Sequence, residues 1–531
     1  METLITDVLI IGSGAAGIRA AIASKESGAD TLVVGKAPPG LGTSTILSGA
    51  GFAVSFGGVS QDEHRTKTLE SGRGINQVDL VETLVSDAPG RISELMSWGM
   101  RAHTTPGMVV AEGPPPAFGR EVVRCLTGRA TKVGVRFANG LTAERLLTDE
   151  QHGFGVLAFR PSTSEWLGVV SKAVVIATGG AAALYIRHSN PQRNTGDGYS
   201  LASQAGVVLR DMEFIQFYAL AGAEPGKPPI IVHPGVADRG RLTNDMGENI
   251  LEKYNITERP AAARARDRLA QALFLEIYHH GQHVLLDLRS GSTRKRDNSL
   301  DHVTAANWHY LDRALGADQR PFRVAPVCHF FMGGISINRD GHTNVPGLFA
   351  AGEAAGGLHG ANRMGGNALT ECMVFGARAG IAAVQWVTKE RLSPKEVVFP
   401  RIEEKVSTFE RERTLKRSKD IKKRLRQVMW EYAGVIRDNT GMTAGLRQLD
   451  QLEEELQSVV SDVPAKEIAR IIEISHGLKT AKIILQAALR REESRGAHYR
   501  SDFPNPHPKW AGSQSVVTSP SGSLKWSFEP H

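Results

Sequence analysis

The sequence predicts an α/β fold in which a Rossmann-like nucleotide-binding domain is interrupted by an inserted α+β domain and followed by a helical domain. Three observations lead to this prediction. A β-α-β pattern opens the chain, over residues 7–34. Glycine is in excess, with 56 among 531 residues, against an ordinary share of ~7%. Residues 395–495 instead have the long, charged, glycine-poor pattern of a helical bundle.

The opening unit carries the first motif. Residues 7–11 (Asp-Val-Leu-Ile-Ile) predict a buried parallel strand, residues 15–27 a helix, and residues 31–34 the next strand. Residues 12–17 (Gly-Ser-Gly-Ala-Ala-Gly) join strand to helix. Glycines at these positions permit a tight turn and close approach to a pyrophosphate, which the helix N-terminus favours. The unit predicts dinucleotide binding, although residues 34–36 (Val-Gly-Lys) lack the usual acidic residue for the ribose.

The glycines form three clusters, and the second and third also follow predicted strands. Residues 1–58 hold eleven glycines, residues 177–206 five, and residues 332–380 twelve. These two strands are predicted at residues 174–180 and 348–353, each meeting glycines at its end. Because glycine clusters let the backbone press close to a ligand, we expect three loops to converge on one long ligand. The competing interpretation, ordinary surface loops, explains neither the apolar runs nor the glycine density.

The remaining organisation follows from shifts in composition. Prolines and then a charged helical stretch at residues 258–280 mark an insertion that also contains a strand at residues 284–288. The tail is rich in Pro, Ser and Gly, and we predict that it is irregular and lies on the body. The predicted divisions are the nucleotide-binding domain at 1–215 and 325–390, the insertion at 216–324, the helical domain at 395–500 and the tail at 501–531.

Composition and charge exclude several classes of protein. The three cysteines, Cys125, Cys328 and Cys372, are far apart, which excludes a disulfide framework, a zinc ribbon and an iron–sulfur cluster held by this chain alone. A net charge of +7 suits a solvated surface and acidic ligands, and no nucleic-acid-binding signature is present. The first residues lack a signal-peptide pattern, and no apolar run of ~18 residues exists. We therefore expect a cytoplasmic chain that does not itself span a membrane.

Three longer motifs resemble a known family. They are residues 329–335 (His-Phe-Phe-Met-Gly-Gly-Ile), 359–369 (His-Gly-Ala-Asn-Arg-Met-Gly-Gly-Asn-Ala-Leu) and 491–504 (Arg-Glu-Glu-Ser-Arg-Gly-Ala-His-Tyr-Arg-Ser-Asp-Phe-Pro). Together with the N-terminal motif they resemble the flavoprotein subunits of fumarate reductase and succinate dehydrogenase, a family that includes L-aspartate oxidase. The resemblance covers most of the chain, and the Lys of residues 34–36 also fits it.

The resemblance implies an FAD cofactor and an enzyme that acts on a carboxylate. The insertion would be a capping domain that closes over a substrate stacked on the flavin. In the family, a His of the H-x-x-M-G-G motif and an Arg of the A-N-R-x-G motif bind the substrate, and these correspond to His329 and Arg363. The residues expected at the cofactor are Gly12, Gly14, Ala15, Ala16, Gly17, Lys36, Ser44, Thr45, Gly49, Gly51, Ala177, Thr178, Gly179, Asp197, Gly352, Glu353, Asn367, Ala368 and Leu369.

Two departures from the family concern the cofactor and the substrate. Many relatives attach FAD covalently to a His in a Ser-His-Thr stretch, where this chain has residues 43–45 (Thr-Ser-Thr). The FAD is therefore expected to be non-covalent. Relatives also have Gln-Phe-His-Pro where this chain has residues 216–219 (Gln-Phe-Tyr-Ala), so the substrate need not be succinate or fumarate.

A third departure concerns the proton donor. The resemblance assigns that role to an Arg in an Arg-Gly-Glu-Gly-Gly stretch, but alignment on residues 242–244 (Leu-Thr-Asn) puts Val236 at its position. The nearby candidates are His233, Arg239 and Arg241. One of these can serve if the loop is rebuilt; otherwise the acid or the chemistry differs.

Three functions stay open. The first is hydride transfer between flavin N5 and a carboxylate-bearing substrate, with electrons exchanged with a separate iron–sulfur subunit through which any membrane contact would be made. The second is an L-aspartate oxidase-like enzyme that passes electrons to oxygen or fumarate without such a subunit. The third is a flavin-holding electron-transfer subunit that has lost turnover of dicarboxylates.

Overall fold

The computed structural model describes residues 2–115, 117–149, 153–289, 302–390, 411–460 and 465–531. The strands are β1 (Glu2–Ile5), β2 (Val8–Ile11), β3 (Thr31–Gly35), β4 (Gly51–Ala53), β5 (Ala102–Thr105), β6 (Met108–Ala111), β7 (Arg136–Asn139), β8 (Thr142–Asp149), β9 (Gly153–Arg160), β10 (Glu165–Ser171), β11 (Ala173–Ile176), β12 (Leu209–Arg210), β13 (Ile215–Gly222), β14 (Arg241–Asn244), β15 (Val284–Asp287), β16 (Phe322–Phe331), β17 (Gly334–Ser336), β18 (Leu348–Ala350), β19 (Ala355–Gly356), β20 (Gly512–Thr518) and β21 (Leu524–Pro530). The helices are α1 (Ala15–Glu26), α2 (Ser44–Leu47), α3 (Gln61–Ser71), α4 (Val78–Ser97), α5 (Arg120–Val133), α6 (Asp197–Gln204), α7 (Pro234–Ala237), α8 (Ile250–Lys253), α9 (Ala261–Arg264), α10 (Arg266–Phe274), α11 (His302–Leu315), α12 (Asn367–Lys389), α13 (Arg411–Tyr432), α14 (Asn439–Val460) and α15 (Ala465–Arg490).

A parallel sheet of five strands, in the order β18-β11-β2-β3-β7, forms the centre of the nucleotide-binding fold. Val8, Leu9 and Ile10 of β2 are fully buried, as expected for a strand covered on both faces. Helix α1 packs against α12 beside this sheet. The carboxyl ends of β2, β11 and β18 therefore lie at one edge, where each strand enters its glycine-rich loop.

A second sheet, in the order β13-β16-β15-β14, is antiparallel and belongs largely to the predicted insertion. Helices α7 to α11 lie between its strands in the chain. Strand β16 runs beyond the predicted insertion and carries His329. The sheet thus joins the insertion directly to a predicted substrate residue.

The C-terminal helices α13, α14 and α15 pack against one another. Leu449, Leu452 and Leu456 of α14 are buried, as expected for the apolar face of a helix in a bundle. Residues 391–410 and 461–464 of the predicted helical region lie outside the described residues. The predicted fold class, α/β with an inserted α+β part and C-terminal helices, is confirmed by these elements.

The prediction of an irregular tail is wrong in part. Strands β20 and β21 form an antiparallel hairpin, and β20 also pairs with β12. Its outer strand, β21, is mostly exposed. Local composition favoured a loop, but pairing with the edge of a sheet formed by distant residues supplies the missing backbone hydrogen bonds. The tail lies on the body of the protein, as the sequence predicts.

Within the described ranges, none of the helices combines the length and the apolar composition that a membrane crossing requires. The same ranges contain no group of three or more His, Cys, Asp or Glu side chains arranged to hold a metal ion.

Candidate active site

The three glycine clusters meet at the edge of the central sheet. A Cβ at Gly12 (φ +119°) would collide with the carbonyl oxygen of Ala177, in the second loop. A Cβ at Gly352 would lie 2.7 Å from Cβ of Ala16, which joins the third loop to the first. A Cβ at Gly180 would collide with the carboxylate of Glu353. The backbones can approach this closely only because these positions are glycine.

The N-terminus of α1 contacts the loop that contains α2. The N–H of Ala15 donates to the Thr45 hydroxyl at 3.0 Å. The Ser44 hydroxyl donates to the Asn190 side chain at 2.5 Å, and Asn190 in turn donates to the backbone carbonyl of His329 at 2.9 Å. The structure thus connects two predicted cofactor residues with a predicted substrate residue.

Lys36 and Asp197 form an ion pair between β3 and the first turn of α6. Lys36 also donates to the carbonyl of Arg193 at 2.9 Å and lies 3.2 Å from the carboxylate of Glu473. Burial alone would raise the pKa of Asp197, but Lys36 and His476 outweigh it and lower that pKa. Lys36, directly after β3, therefore stands where dinucleotide-binding folds usually have an acidic residue for the ribose.

Glu353 is partly buried beside this junction. Its carboxylate accepts from the N–H of Phe331 at 3.1 Å, and its backbone carbonyl accepts from the Tyr199 hydroxyl at 2.8 Å. Burial raises the pKa of Glu353 to about 7, although the Phe331 hydrogen bond and the nearby Arg363 act in the opposite direction. This carboxyl can therefore be neutral or ionised near physiological pH.

The remaining predicted cofactor residues differ in the groups and the space that they offer to a ligand. Asn367, Ala368 and Leu369 form the first turn of α12. The Asn367 side chain is already bonded to α3, through His64 at 2.8 Å and Thr68 at 3.0 Å, so this turn can offer a ligand only its backbone. Space is open beside Gly49, whereas Gly14 and Gly51 have neighbouring side chains.

These features fit an FAD dinucleotide. The first turns of α1 and α12 carry N–H groups that have no partner within their helix, and such groups bind anions. The hydroxyl of Thr178 is buried and has no hydrogen-bond partner among the described residues. Three loops with crowded glycines, two helix N-termini and the unpaired Thr178 hydroxyl match a long, phosphate-containing ligand held at the end of a parallel sheet.

His329 lies at the end of β16, partly exposed. Its Nδ1 contacts the Ser189 hydroxyl at 2.8 Å. Burial, together with the positive charges of Arg363 and Arg266, holds the pKa of His329 well below its ordinary value. The imidazole is therefore neutral at physiological pH and can donate a hydrogen bond without carrying charge.

Gln216 connects Arg363 with a second buried arginine, Arg266. Its side-chain oxygen accepts from Arg363 at 3.0 Å and from Arg266 at 2.9 Å. Its amide nitrogen donates to Asn362 at 2.8 Å and to the backbone carbonyl of Arg363 at 3.0 Å. One neutral side chain thus holds both guanidinium groups close together.

Both guanidinium groups are buried, and burial lowers the pKa of each, that of Arg363 to about 9. Nε of Arg363 is buried without a partner among the described residues. Such a donor is costly to leave unpaired, and an anionic ligand would satisfy it.

Arg266 is absent from the candidates that the sequence suggests. Residues 258–268 contain four arginines, Arg259, Arg264, Arg266 and Arg268, and the sequence does not distinguish among them. In the structure Arg266 begins α10 and is buried, whereas its three neighbours are at least partly exposed. Burial, which requires the folded chain, is the distinguishing signal.

Tyr218 lies beside these groups. Its ring is 5.4 Å from the His329 ring, and the Arg266 guanidinium lies 5.1 Å from its centroid. Its hydroxyl donates to the backbone carbonyl of Val232 at 2.8 Å. Burial raises its pKa to about 12, so the phenol stays protonated.

His233, Arg239 and Arg241 lie elsewhere in the insertion. His233 caps α7 and contacts Thr304 at 3.0 Å, while Arg239 donates to the carbonyl of Gly235 at 2.5 Å. Arg241 is exposed on β14 and pairs across the sheet with Asp287. None of the contacts described for these three residues reaches the cluster of His329 and Arg363, which receives Arg266 instead.

The motif at residues 491–504 supports the loop that carries Arg363. The N–H of Ala497 donates to the carbonyl of Ala361 at 2.9 Å. A Cβ at Gly496 (φ +55°) would collide with that same carbonyl oxygen. Buried Arg491 anchors the motif through Glu213 at 2.5 Å and Glu493 at 2.8 Å. The motif therefore supports the loop that carries Arg363.

Comparison with known proteins agrees with these features. Residues 7–369 match the family model described as an FAD binding domain, and residues 422–530 match the fumarate reductase flavoprotein C-terminal model. The fumarate reductase (CoM/CoB) of Methanothermobacter marburgensis has a subunit that is 30% identical to this chain, with 95% of each chain covered. A fumarate reductase flavoprotein subunit of Mycobacterium tuberculosis is 31% identical, over 94% of this chain and 92% of its own. L-aspartate oxidase 2-a of Nicotiana tabacum is 30% identical, over 94% and 82%.

Solved structures show the same architecture. A variant FrdA chain of E. coli quinol fumarate reductase superposes with a TM-score of 0.84 at 26% identity, covering 100% of this chain and 97% of its own. Sdh1 of Mycobacterium smegmatis in complex with UQ1 superposes with a TM-score of 0.81 at 26% identity, covering 100% and 95%.

Proposed function

Because the chain belongs to the fumarate reductase/succinate dehydrogenase flavoprotein family, and is therefore an FAD-dependent oxidoreductase, we propose that it transfers hydride between flavin N5 and a carboxylate-bearing substrate. Arg363 and His329 bind that substrate, and Arg266 delivers or removes the proton. The observation that carries the proposal is the hydrogen-bonding of Gln216 to both guanidinium groups beside a neutral histidine.

Arg363 acts as the carboxylate clamp. A guanidinium presents parallel N–H groups that match the two oxygens of a carboxylate, and one nitrogen of Arg363 has no partner among the described residues. Gln216 fixes the orientation of the Arg363 guanidinium and of the backbone from which it extends. Neutral His329 can donate a second hydrogen bond to the same substrate, with Ser189 holding its ring.

Arg266 acts as the proton donor in the direction of reduction. It belongs to α10 of the insertion, whereas Arg363 belongs to the loop before α12, so the two elements complete the site together. Burial lowers its pKa, which makes the guanidinium a better acid than one in water. When bound, the flavin supplies hydride at N5. A C=C bond that gains this hydride at one carbon and the Arg266 proton at the other becomes a CH–CH bond.

Electrons must reach or leave the flavin through another molecule. We propose a separate iron–sulfur subunit, because only three cysteines are present and Cys125 and Cys328 are buried. The relatives called subunits of fumarate reductase support this assignment. A carrier held by a partner would have to approach the flavin within a distance that permits electron transfer.

The second candidate function is that of an L-aspartate oxidase. A tobacco L-aspartate oxidase is as similar to this chain as the fumarate reductase subunits are, and a dissociable FAD suits an enzyme that works without a partner. The third candidate is a flavin-holding electron-transfer subunit. It is motivated by Val236, which stands where the resemblance expects the proton-donating Arg, and the presence of His329 and Arg363 argues against it.

One anaerobic experiment separates the three functions. The purified, FAD-containing protein is reduced with dithionite, and flavin absorbance is followed after addition of fumarate, monomethyl fumarate, or oxygen. The oxidised protein is separately given L-aspartate, and imino-acid formation is measured. Reoxidation by an unsaturated acid without oxidation of aspartate supports the proposal, whereas oxidation of aspartate, with reoxidation by oxygen or fumarate, supports the second function. If neither reaction occurs and electrons pass only to a co-purified protein, the proposal is wrong and the third function is correct.

A further inference from the structure

We infer that the substrate carries a single carboxylate and is uncharged at its other end, so that the reaction interconverts α,β-unsaturated and saturated monocarboxylic acids. This inference rests on the proposed function and specifies its substrate class. It follows from what the walls of the Arg363 and His329 cluster offer to a second carboxylate.

The wall between His329 and Arg266 is Tyr218, and its only donor is already used. The Tyr218 hydroxyl donates to the backbone carbonyl of Val232 at 2.8 Å. A phenol has one hydrogen to donate, so a substrate carboxylate could gain it only by breaking that bond inside the protein. The side chain is 4% exposed, which leaves it little room to turn away. Toward the substrate, Tyr218 therefore presents an aromatic ring and not a hydrogen bond.

A second wall is also aromatic. The Arg363 guanidinium lies 4.5 Å from the centroid of the Phe330 ring, which itself packs edge-on against His359 at 5.2 Å. A phenyl ring has no hydrogen-bond donor. Phe330 therefore adds none beside Arg363, and the two aromatic rings of the cluster offer no free donor to a second carboxylate.

Among the described residues of the cluster, no cation remains for a second carboxylate. Arg363 binds the first one, and Arg266 is committed to proton transfer. His329 is neutral. The carboxyl groups of Glu353 and Glu371 act electrostatically on Arg363, and that of Asp267 acts on Arg266. With Arg363 and Arg266 each assigned another role and His329 neutral, a second substrate carboxylate would be desolvated without a counter-charge of its own.

The Tyr218 hydroxyl is engaged by Val232, and the side chains at Val232 and nearby do not supply another hydrogen-bond donor. Val232 offers a backbone carbonyl, which is an acceptor, and both its side chain and that of Val236 are fully buried and apolar. Ala219, next to Tyr218 on β13, is small and apolar as well. The side chains of Val232 and Ala219 therefore give a carboxylate no donor in place of the phenol.

The test compares fumarate with monomethyl fumarate, which keep the same carbon skeleton and activated double bond but differ by one charge. The protein with bound FAD is reduced anaerobically, and kcat/KM for reoxidation is measured for each acid. We expect monomethyl fumarate to be at least about tenfold better, since an unpaired buried charge costs at least that much. A preference for fumarate, or equal values, would overturn the inference while leaving the proposed function intact.

Two variants test whether Tyr218 determines the preference between fumarate and monomethyl fumarate. Tyr218→His introduces a second donor, and the preference should move toward fumarate by about tenfold. Tyr218→Phe keeps the ring and removes only the hydroxyl, so the preference for the monoester should persist. Loss of that preference in Tyr218→Phe would mean that the hydroxyl contacts the substrate, and the inference would be wrong.

Binding provides a readout that does not need turnover. The oxidised protein is titrated with succinate and with monomethyl succinate, and the change in flavin absorbance gives the dissociation constants. The inference predicts tighter binding of the monoester by about tenfold. Tighter binding of succinate contradicts it. If neither unsaturated acid reoxidises the flavin, the proposed function fails, and these titrations still decide the charge preference of the site.

Discussion

Gln216 is the residue that brings the site together, although its side chain carries no charge. Its oxygen accepts from Arg363 and Arg266, and its nitrogen donates to the loop from which Arg363 extends. A carboxylate at this position would neutralise one arginine and compete with the substrate for it. A neutral amide holds both cations and leaves their charge available.

Replacing Arg266 should abolish turnover and spare the cofactor. In Arg266→Gln the proton donor is lost, so the rate of flavin reoxidation by a substrate acid should fall at least about 100-fold. Flavin content should stay at the wild-type level, because Arg266 belongs to α10 of the insertion and its described hydrogen bonds go to Ala262 and Gln216. Arg268→Gln, an exposed position on the same helix, is the control and should be unchanged. Equal loss in both variants, or loss of flavin in the first, would contradict the role of Arg266.

His329 should not titrate in the physiological range. Its pKa is lowered, so the ring stays neutral until the pH falls well below the ordinary value of 6.5. The pH profile of kcat/KM, which reports on the free enzyme, should therefore show no inflection near pH 6.5 that depends on this residue. An inflection there in the wild type that disappears in His329→Asn would show that the ring ionises in this range and would contradict its neutral role.

The FAD should be dissociable. Ser44 and Thr45 occupy the region where relatives carry the attachment histidine, and both side chains are engaged, with Asn190 and with the N–H of Ala15. Precipitation of the protein with trichloroacetic acid should release the yellow flavin into the supernatant, where its absorbance is measured. Flavin fluorescence that stays with the polypeptide on a denaturing gel would show a covalent bond formed elsewhere.

At the scale of elements, the first β-α-β unit could be predicted from the sequence because its causes are local. A run of apolar residues, a glycine turn and an alanine-rich helix follow one another within residues 7–34. The convergence of three glycine clusters was also predictable, because parallel strands end at the same edge of a sheet.

Two other features could not be predicted from the sequence, because they depend on contacts that exist only in the folded chain. The hairpin of β20 and β21 forms against β12, which lies far away in the sequence. Arg266 is distinguished from its three neighbouring arginines only by the packing of α10 against β13. Composition and periodicity describe neighbours along the chain, so they carry no information about these long-range contacts.

Gly496 supports the Arg363 loop through backbone contact alone. Gly496→Ala would place a Cβ against the carbonyl oxygen of Ala361 at a φ of +55°, and should lower the free energy of unfolding by about 1–3 kcal/mol. Turnover should fall as the Arg363 loop shifts. Thermal unfolding and activity are the measurements.

Gly522→Ala is the matched control for this change. Gly522 also has a positive φ, +84°, but no heavy atom lies within 4 Å of the place that a Cβ would take there. Gly522→Ala should lower the free energy of unfolding by about 1 kcal/mol or less, and activity should be unchanged. Equal destabilisation by the two variants would show that backbone conformation, and not the contact with Ala361, accounts for the effect.

At the scale of the whole molecule, the site is shared between two parts of the fold. The central sheet and its loops supply the cofactor residues and Arg363. The second sheet supplies His329 and the wall at Tyr218, and α10 of the insertion supplies Arg266. Gln216 stands at their junction, at the start of β13. Any movement of the insertion would separate Arg266 from Arg363, so chemistry requires the two parts to be closed on each other.

The most direct test of the central claim is a single-turnover reoxidation of the reduced flavin by monomethyl fumarate, in the wild type and in Arg363→Ala. The account predicts rapid reoxidation in the wild type and a loss of at least about 100-fold in Arg363→Ala, with FAD still bound. Arg65→Ala, which removes a partly exposed arginine of α3, should behave as the wild type. Undiminished reoxidation in Arg363→Ala would contradict the assignment of this cluster as the substrate site.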